Sequence, residues 1–157
     1  DHTARLWDVA SGRELQVLVG HTAPVGNAAF APDGQTVITA AEDRTARLWD
    51  VASGRELHVL RGHEGPVWSA QFSADGKTAL TAADDRTARL WDVDSGRELQ
   101  VLRGHAGPVW SAQFSADGQF ALTASDDGTA RLWNVASARE LQVLRGHQGA
   151  VWAASRR

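Results

Sequence analysis

The sequence predicts an all-β chain of stacked four-stranded antiparallel sheets, and three observations predict it. One pattern returns every 42 residues: Trp7, Trp49, Trp91 and Trp133 share that step, as do Trp68, Trp110 and Trp152, and His21, His63, His105 and His147. Each unit divides into four short strand-like segments separated by turn signals. A lone meander of this kind would leave Val67, Phe72, Leu80, Leu90 and Leu99 wet, so neighbouring units must cover them.

The elements follow in order within one unit. "PVWSAQFS" (66–73) reads as a first strand. "ADGK" (74–77) is a tight turn, because Asp-Gly supplies the positive φ that a hairpin needs. "TALTA" (78–82) is a second strand and "ADDR" (83–86) a second turn. "TARLWDV" (87–93) is a third strand, "DSGR" (94–97) a third turn and "ELQVL" (98–102) a fourth strand. No segment carries helical periodicity over the length a helix requires. Residues 63–104 and 105–146 differ at eight of 42 positions, so the chain holds no unrelated insert and no linker.

Sheets that stack face to face at this period make a β-propeller, one sheet per blade. The expected organisation across 1–157 is a partial blade at 1–18, full blades at 21–60, 63–102 and 105–144, and a further partial blade at 147–157. Residues 150–154 are expected to begin a strand. The chain opens mid-repeat and contains no methionine, so a longer parent is expected. An open arc would leave blade faces uncovered, which favours self-association or ring completion by further repeats.

"GH…TARLWD" at this spacing resembles the WD-repeat β-propeller family over nearly the whole chain. "GH" occurs four times and "LWD" three times, with "LWN" at 132–134. The near-identity of the units resembles the amplified propellers common in bacteria. The resemblance implies rings usually of seven blades, of which this chain would be about 3.5. It also implies a non-catalytic scaffold, the sensor or adaptor part of a multidomain signalling protein. In such parents a Ser/Thr kinase or a STAND-type NTPase often lies upstream. "SGRE" and "ADGK" match no phosphate-binding loop.

The resemblance further implies a buried hydrogen-bonded set in each blade: His21, Thr39, Asp43 and Trp49; His63, Thr81, Asp85 and Trp91; His105, Thr123, Asp127 and Trp133. Its chemistry is self-consistent. Indole N–H can only donate, a hydroxyl can accept from it and donate to one imidazole nitrogen, and the other imidazole N–H can donate to the carboxylate. The competing reading is a His-Asp-hydroxyl triad for acyl transfer. Three copies at one period, without an oxyanion element, argue against it, and the expected set of catalytic residues is empty. Two further readings stay open: a hydrolytic or lyase propeller with a site at the channel mouth, and a purely structural array.

Positions that the family uses on its top rim map to Pro24, Gly26 and Glu42, then Pro66, Trp68 and Asp84, then Pro108, Trp110 and Asp126, with Trp152 repeating the pattern. Tryptophan beside carboxylate suits a protein partner with Lys or Arg next to apolar groups. The alternative is that these indoles pack between blades. Arg97 and Arg103 read as a solvated outer edge, with an anionic-partner strip as the alternative. Gly26 interrupts the tryptophan row, Asn134 replaces an Asp, and Ala138 stands where Gly54 and Gly96 stand. If that site needs positive φ, Ala is costly there.

Composition narrows the rest. Hydrophobic residues at 43% and charged residues at 22% suit a globular domain and argue against disorder. Sixteen basic against 19 acidic residues, net −3, are no footprint for nucleic acid. No apolar run approaches a membrane span, and no leader pattern is visible. The absence of cysteine removes disulfides and thiolate chemistry and fits a reducing, cytoplasmic setting. One histidine per unit cannot converge on one ion, and His2 and His58 read as surface substitutions, so no metal and no cofactor are expected.

Overall fold

The computed structural model describes residues 1–155. Its fourteen strands form four antiparallel sheets in chain order. β1 (Thr3–Trp7) and β2 (Glu14–Val19) make a two-stranded sheet. The first four-stranded sheet holds β3 (Val25–Phe30), β4 (Thr36–Ala41), β5 (Ala46–Asp50) and β6 (Glu56–Leu60). The second holds β7 (Val67–Phe72), β8 (Thr78–Ala83), β9 (Ala88–Asp92) and β10 (Glu98–Leu102). The third holds β11 (Val109–Phe114), β12 (Phe120–Ser125), β13 (Ala130–Asn134) and β14 (Glu140–Leu144). The observed strands differ from the expected ones by a residue at most ends. The expected strand at 150–154 is not formed: that segment carries no strand, although Val151 is buried and its N–H donates to the Ser125 carbonyl at 2.9 Å. The end of the expected unit at 147–157 lies outside the described residues.

The core lies between sheets. Ile38, Leu48 and Leu60 of the first full sheet pack with Val67, Ala79 and Trp91 of the second. Leu80, Leu90 and Leu102 of the second pack with Val109, Ala121 and Trp133 of the third. Leu6 and Leu18 meet Val37 and Trp49 in the same way. Each of these tryptophans thus faces the preceding sheet, and burial of such side chains is the main driving force for stacking.

Two bulges in each four-stranded sheet decide which side chains leave this core. On the innermost strand of the second sheet Val67 pairs with Ala83 and Ser69 with Ala82, so Trp68 is the extra residue. Gly26 and Trp110 are the equivalent extras in the other sheets. On the outer strand Glu98 pairs with Trp91 and Gln100 with Leu90, which makes Leu99 the extra residue. A bulge re-aims its residue. Leu99 is therefore 51% exposed rather than a core residue, a correction to its expected place among the residues that neighbouring units cover; Leu102 is the buried member of that strand.

Candidate interaction surface

The turns carry the polar centre of each sheet. In the second sheet Trp91 Nε1–H donates to Thr81 Oγ1 at 2.8 Å. Thr81 Oγ1 lies 2.7 Å from His63 Nε2, and His63 Nδ1 lies 2.8 Å from Asp85 Oδ2. The proton arrangement that satisfies every group has Thr81 donating to Nε2 and Nδ1–H donating to the carboxylate. The other two sheets repeat these contacts. Trp49 to Thr39 is 2.8 Å, His21 to Thr39 2.7 Å and His21 to Asp43 2.8 Å. Trp133 to Thr123 is 2.9 Å, His105 to Thr123 2.7 Å and His105 to Asp127 2.8 Å.

The set extends further than the four residue types expected. Thr87 donates to Asp85 Oδ1 at 2.6 Å and accepts Arg89 Nε–H at 3.3 Å. Arg89 then reaches Glu98 at 2.7 Å and Asp85 at 3.4 Å. Thr45, Arg47 and Glu56, and Thr129, Arg131 and Glu140, repeat the extension. The signal was visible: "TAR" and "RE" recur in every unit. The Gly of "GH" belongs to the same packing, since a Cβ on Gly62 would stand 2.9 Å from Arg89 Nη1 and 3.0 Å from Glu98 Oε1.

Burial alone would raise the Asp43 carboxyl, but hydrogen bonds from Thr45, His21 and the Thr22 N–H outweigh it and hold the group at about 2. Asp85 and Asp127 are likewise held below the ordinary carboxylate range, against their burial, by donors led by His63 and Thr129 respectively. Burial lowers His21 and His105 more than their aspartates raise them, which keeps these rings neutral. Thr39, Thr81 and Thr123 are 0% exposed. Their hydroxyls are locked to indole and imidazole, and no substrate carbonyl can reach them, so the triad geometry has no nucleophile to offer.

The three-sheet repetition also appears in comparison with known proteins. The family model described as WD domain, G-beta repeat matches residues 12–50, 54–92 and 96–134. The chain belongs to that family. Each WD repeat begins in the turn just before the outer strand of one sheet (β2, β6 or β10) and ends in the third strand of the next (β5, β9 or β13), so consecutive repeats interlock. Domains of this family generally serve as scaffolds for protein–protein contacts. No curated protein matches the chain.

The positions expected on the rim make two sets of contacts, one within each sheet and one between sheets. Glu42, Asp84 and Asp126 are exposed, and their N–H groups donate to the carbonyls of Pro24, Pro66 and Pro108 at 3.0, 2.9 and 2.9 Å. Trp68 and Trp110 are half-buried, with ring centroids 5.5 Å apart and tilted by 45°. Trp110 stacks on Trp152 at 4.9 Å and 29°, and Trp152 is 66% exposed. The indoles thus pack from sheet to sheet and end in an open ring, combining features of both readings. The indole N–H groups of Trp68 and Trp110 and the hydroxyls of Ser69 and Ser111 are buried without a partner among the described residues.

His2 is exposed and His58 half-buried. His2 has a left-handed backbone, φ 64. His58 Nε2 lies 2.8 Å from the Asp94 carbonyl, a bond from one sheet to the next. Among the described residues no group of His, Asp and Glu is placed to hold a metal ion, and no helix is long and apolar enough to cross a membrane.

Proposed function

We propose that the chain is a non-catalytic platform that binds a protein partner along its tryptophan row. The observation that carries this reading is the run of three indoles at 5.5 and 4.9 Å, ending in an exposed ring. Tryptophan is the residue most often energetic in interfaces, and a rigid stack loses little entropy when covered. Asp84 and Asp126, bonded to Pro66 and Pro108 two residues before Trp68 and Trp110, supply negative charge on the same loops, and Glu42 is the equivalent acid of the sheet that carries Gly26. The partner segment carries Arg or Lys next to apolar groups, because a cation can lie on indole faces while pairing with carboxylates. The near-identity of the units supports a place as sensor or adaptor in a bacterial signalling protein, and the lack of cysteine supports the cytoplasm.

Panning a random peptide library on the protein tests the surface. Selected peptides are expected to combine basic and apolar residues and to lose binding to Trp68→Ala/Trp110→Ala. Selected peptides that bind the folded double variant as tightly as the parent would refute the reading.

A further inference from the structure

Every complete joint between sheets seats the same knob in the same groove. The groove is the glycine that follows the outer strand, and the knob is a Trp, an Arg and a Glu of the next sheet. A Cβ on Gly20 would stand 2.8 Å from Arg47 Nη1, 2.9 Å from Glu56 Oε1 and 3.0 Å from Trp49 Cη2. Gly62 meets Arg89, Glu98 and Trp91 in the same way, and Gly104 meets Arg131, Glu140 and Trp133. No side chain fits at these glycines because the knob is already there.

A fourth groove and a fourth knob are both built, and they lie on opposite faces of the sheet stack. The groove is on the third full sheet. A Cβ on Gly146 would meet nothing within 4 Å. Leu144 beside it is exposed, and Leu122 and Leu132 are half-buried, whereas their equivalents Leu102, Leu80 and Leu90 are fully buried by the next sheet. The knob is on the two-stranded sheet. Trp7 pairs with Glu14 as Trp91 pairs with Glu98. Arg5 holds Glu14 at 2.6 Å and Asp1 at 3.3 Å, as Arg89 holds Glu98 and Asp85. Yet Trp7 is 54% exposed, against 1% for each of Trp49, Trp91 and Trp133.

We propose that the groove at Gly146 binds a second copy of this chain through that copy's Trp7–Arg5–Glu14 knob. The occupant follows from continuity with the joints inside the molecule: the uncovered leucines repeat the surface that Trp91 and Trp133 cover elsewhere, and the knob repeats the surface that covers it. Both halves hold their final shape before contact, so little ordering opposes the burial of apolar area. The polar groups match as well. His147 is exposed with no side-chain bond among the described residues. Asp1 stands 42 residues before Asp43, and Asp43, Asp85 and Asp127 each bond the histidine of their own sheet at 2.8 Å. The incoming knob therefore carries a carboxylate for His147. The innermost place of the shared sheet is already taken by buried Val151. Only the place of a second strand stays open, which makes this joint weaker than the other three and the association reversible. The contact is heterologous, so a copy with one half damaged still offers the other.

Sedimentation of the full chain over a concentration series tests this. The parent chain is expected to associate reversibly. Trp7→Ala should weaken self-association about thirtyfold or more and leave the circular dichroism spectrum of the fold unchanged, because this indole lies outside the core. Gly146→Ala should weaken it similarly, since the methyl would stand where the guanidinium and indole arrive. The two variants mixed should form a heterodimer, through the intact knob of Gly146→Ala and the intact groove of Trp7→Ala. That complementation is the result that generic apolar sticking would not produce. A parent chain that stays monomeric to about 0.1 mM would overturn the proposal and leave the groove to a different occupant. Self-association as strong in folded Trp7→Ala as in the parent, or a mixture that forms no heterodimer, would overturn it as well.

Discussion

The centres of the three full sheets and the joints between those sheets follow opposite rules. At the centres, the Trp–Thr–His–Asp distances agree to within 0.1 Å across three copies. At the joints, no two copies are alike. Between the first and second sheets, Gly26 leaves open space at the bulge, and Asn27 Oδ1 accepts the Ala70 N–H at 3.0 Å. Between the second and third, Trp68 meets Trp110, and the Ser69 hydroxyl finds no partner, while Gln71 Nε2–H donates to the Ala112 carbonyl. The difference teaches where the chain is free to vary. A buried polar network fails if any member is lost, because the remaining donors and acceptors stay dry and unpaired. A joint is a surface of contact that several side-chain sets can fill.

The largest expected effect comes from breaking a centre. Thr81→Val keeps the shape and removes the hydroxyl that serves both Trp91 and His63. Two stranded polar groups should cost on the order of 3 kcal/mol. Thr39→Val and Thr123→Val should cost the same within about 0.5 kcal/mol, the scatter expected of equivalent independent sites. Urea unfolding followed by tryptophan fluorescence checks both claims. A loss below about 1 kcal/mol for Thr81→Val, or three very different losses, would show that the centres are not equivalent closed networks.

This contrast also explains what could be read from the sequence. Trp91, Thr81, His63 and Asp85 were legible because the resemblance to the WD-repeat family implies them, and their donor and acceptor capacities are consistent with one closed set. Thr87, Arg89 and Glu98 recur just as strictly, but an Arg and a Glu on adjacent strands read as ordinary surface charge until the register is known. Leu99 was misplaced for a related reason. The sequence shows it only as one more strand leucine, and the bulge that turns it outward follows from the pairing of Glu98 with Trp91 and Gln100 with Leu90, which leaves no mark in composition. The same bulge chemistry made the direction of Trp68 undecidable in advance. Ala138 was legible because the repeats serve as their own comparison: glycine stands at its equivalents, and its φ is 57.

A smaller effect should come from moving one joint toward the other. Ser69 is the equivalent of Asn27, one residue past the bulge. Ser69→Asn is expected to accept the Ala112 N–H as Asn27 accepts that of Ala70, and to add about 1 kcal/mol. Chemical-shift change at the Ala112 amide, together with a raised unfolding midpoint, would report the new bond. A destabilised variant would mean that the amide needs the space Gly26 leaves, and that Gly-Asn and Trp-Ser are alternative joints that cannot be mixed.

The smallest effect concerns the outer side of the joints, where one copy has lost its glycine. Gln16 Nε2 donates to the Ala52 carbonyl at 2.8 Å, and His58 reaches that of Asp94 at 2.8 Å. Gln100 reaches Ala136 only at 3.4 Å. A Cβ on Gly54 would come within 2.8 Å of Gln16 Oε1, and one on Gly96 within 2.9 Å of His58 Cγ. In the third sheet that methyl is present, as Ala138, on a left-handed backbone. Ala138→Gly removes a native strain of about 1–2 kcal/mol and adds about 0.4–1 kcal/mol of freedom to the unfolded chain. The net gain should be about 0.5–1 kcal/mol, with the Gln100 bond shortened toward its two equivalents. Gly96→Ala should lose at least as much, because His58 must also move. Paired unfolding curves for the two variants decide the matter. If Ala138→Gly is neutral or harmful, the half-buried methyl packed against the core beside Phe114 and Val135 contributes as much as its backbone costs.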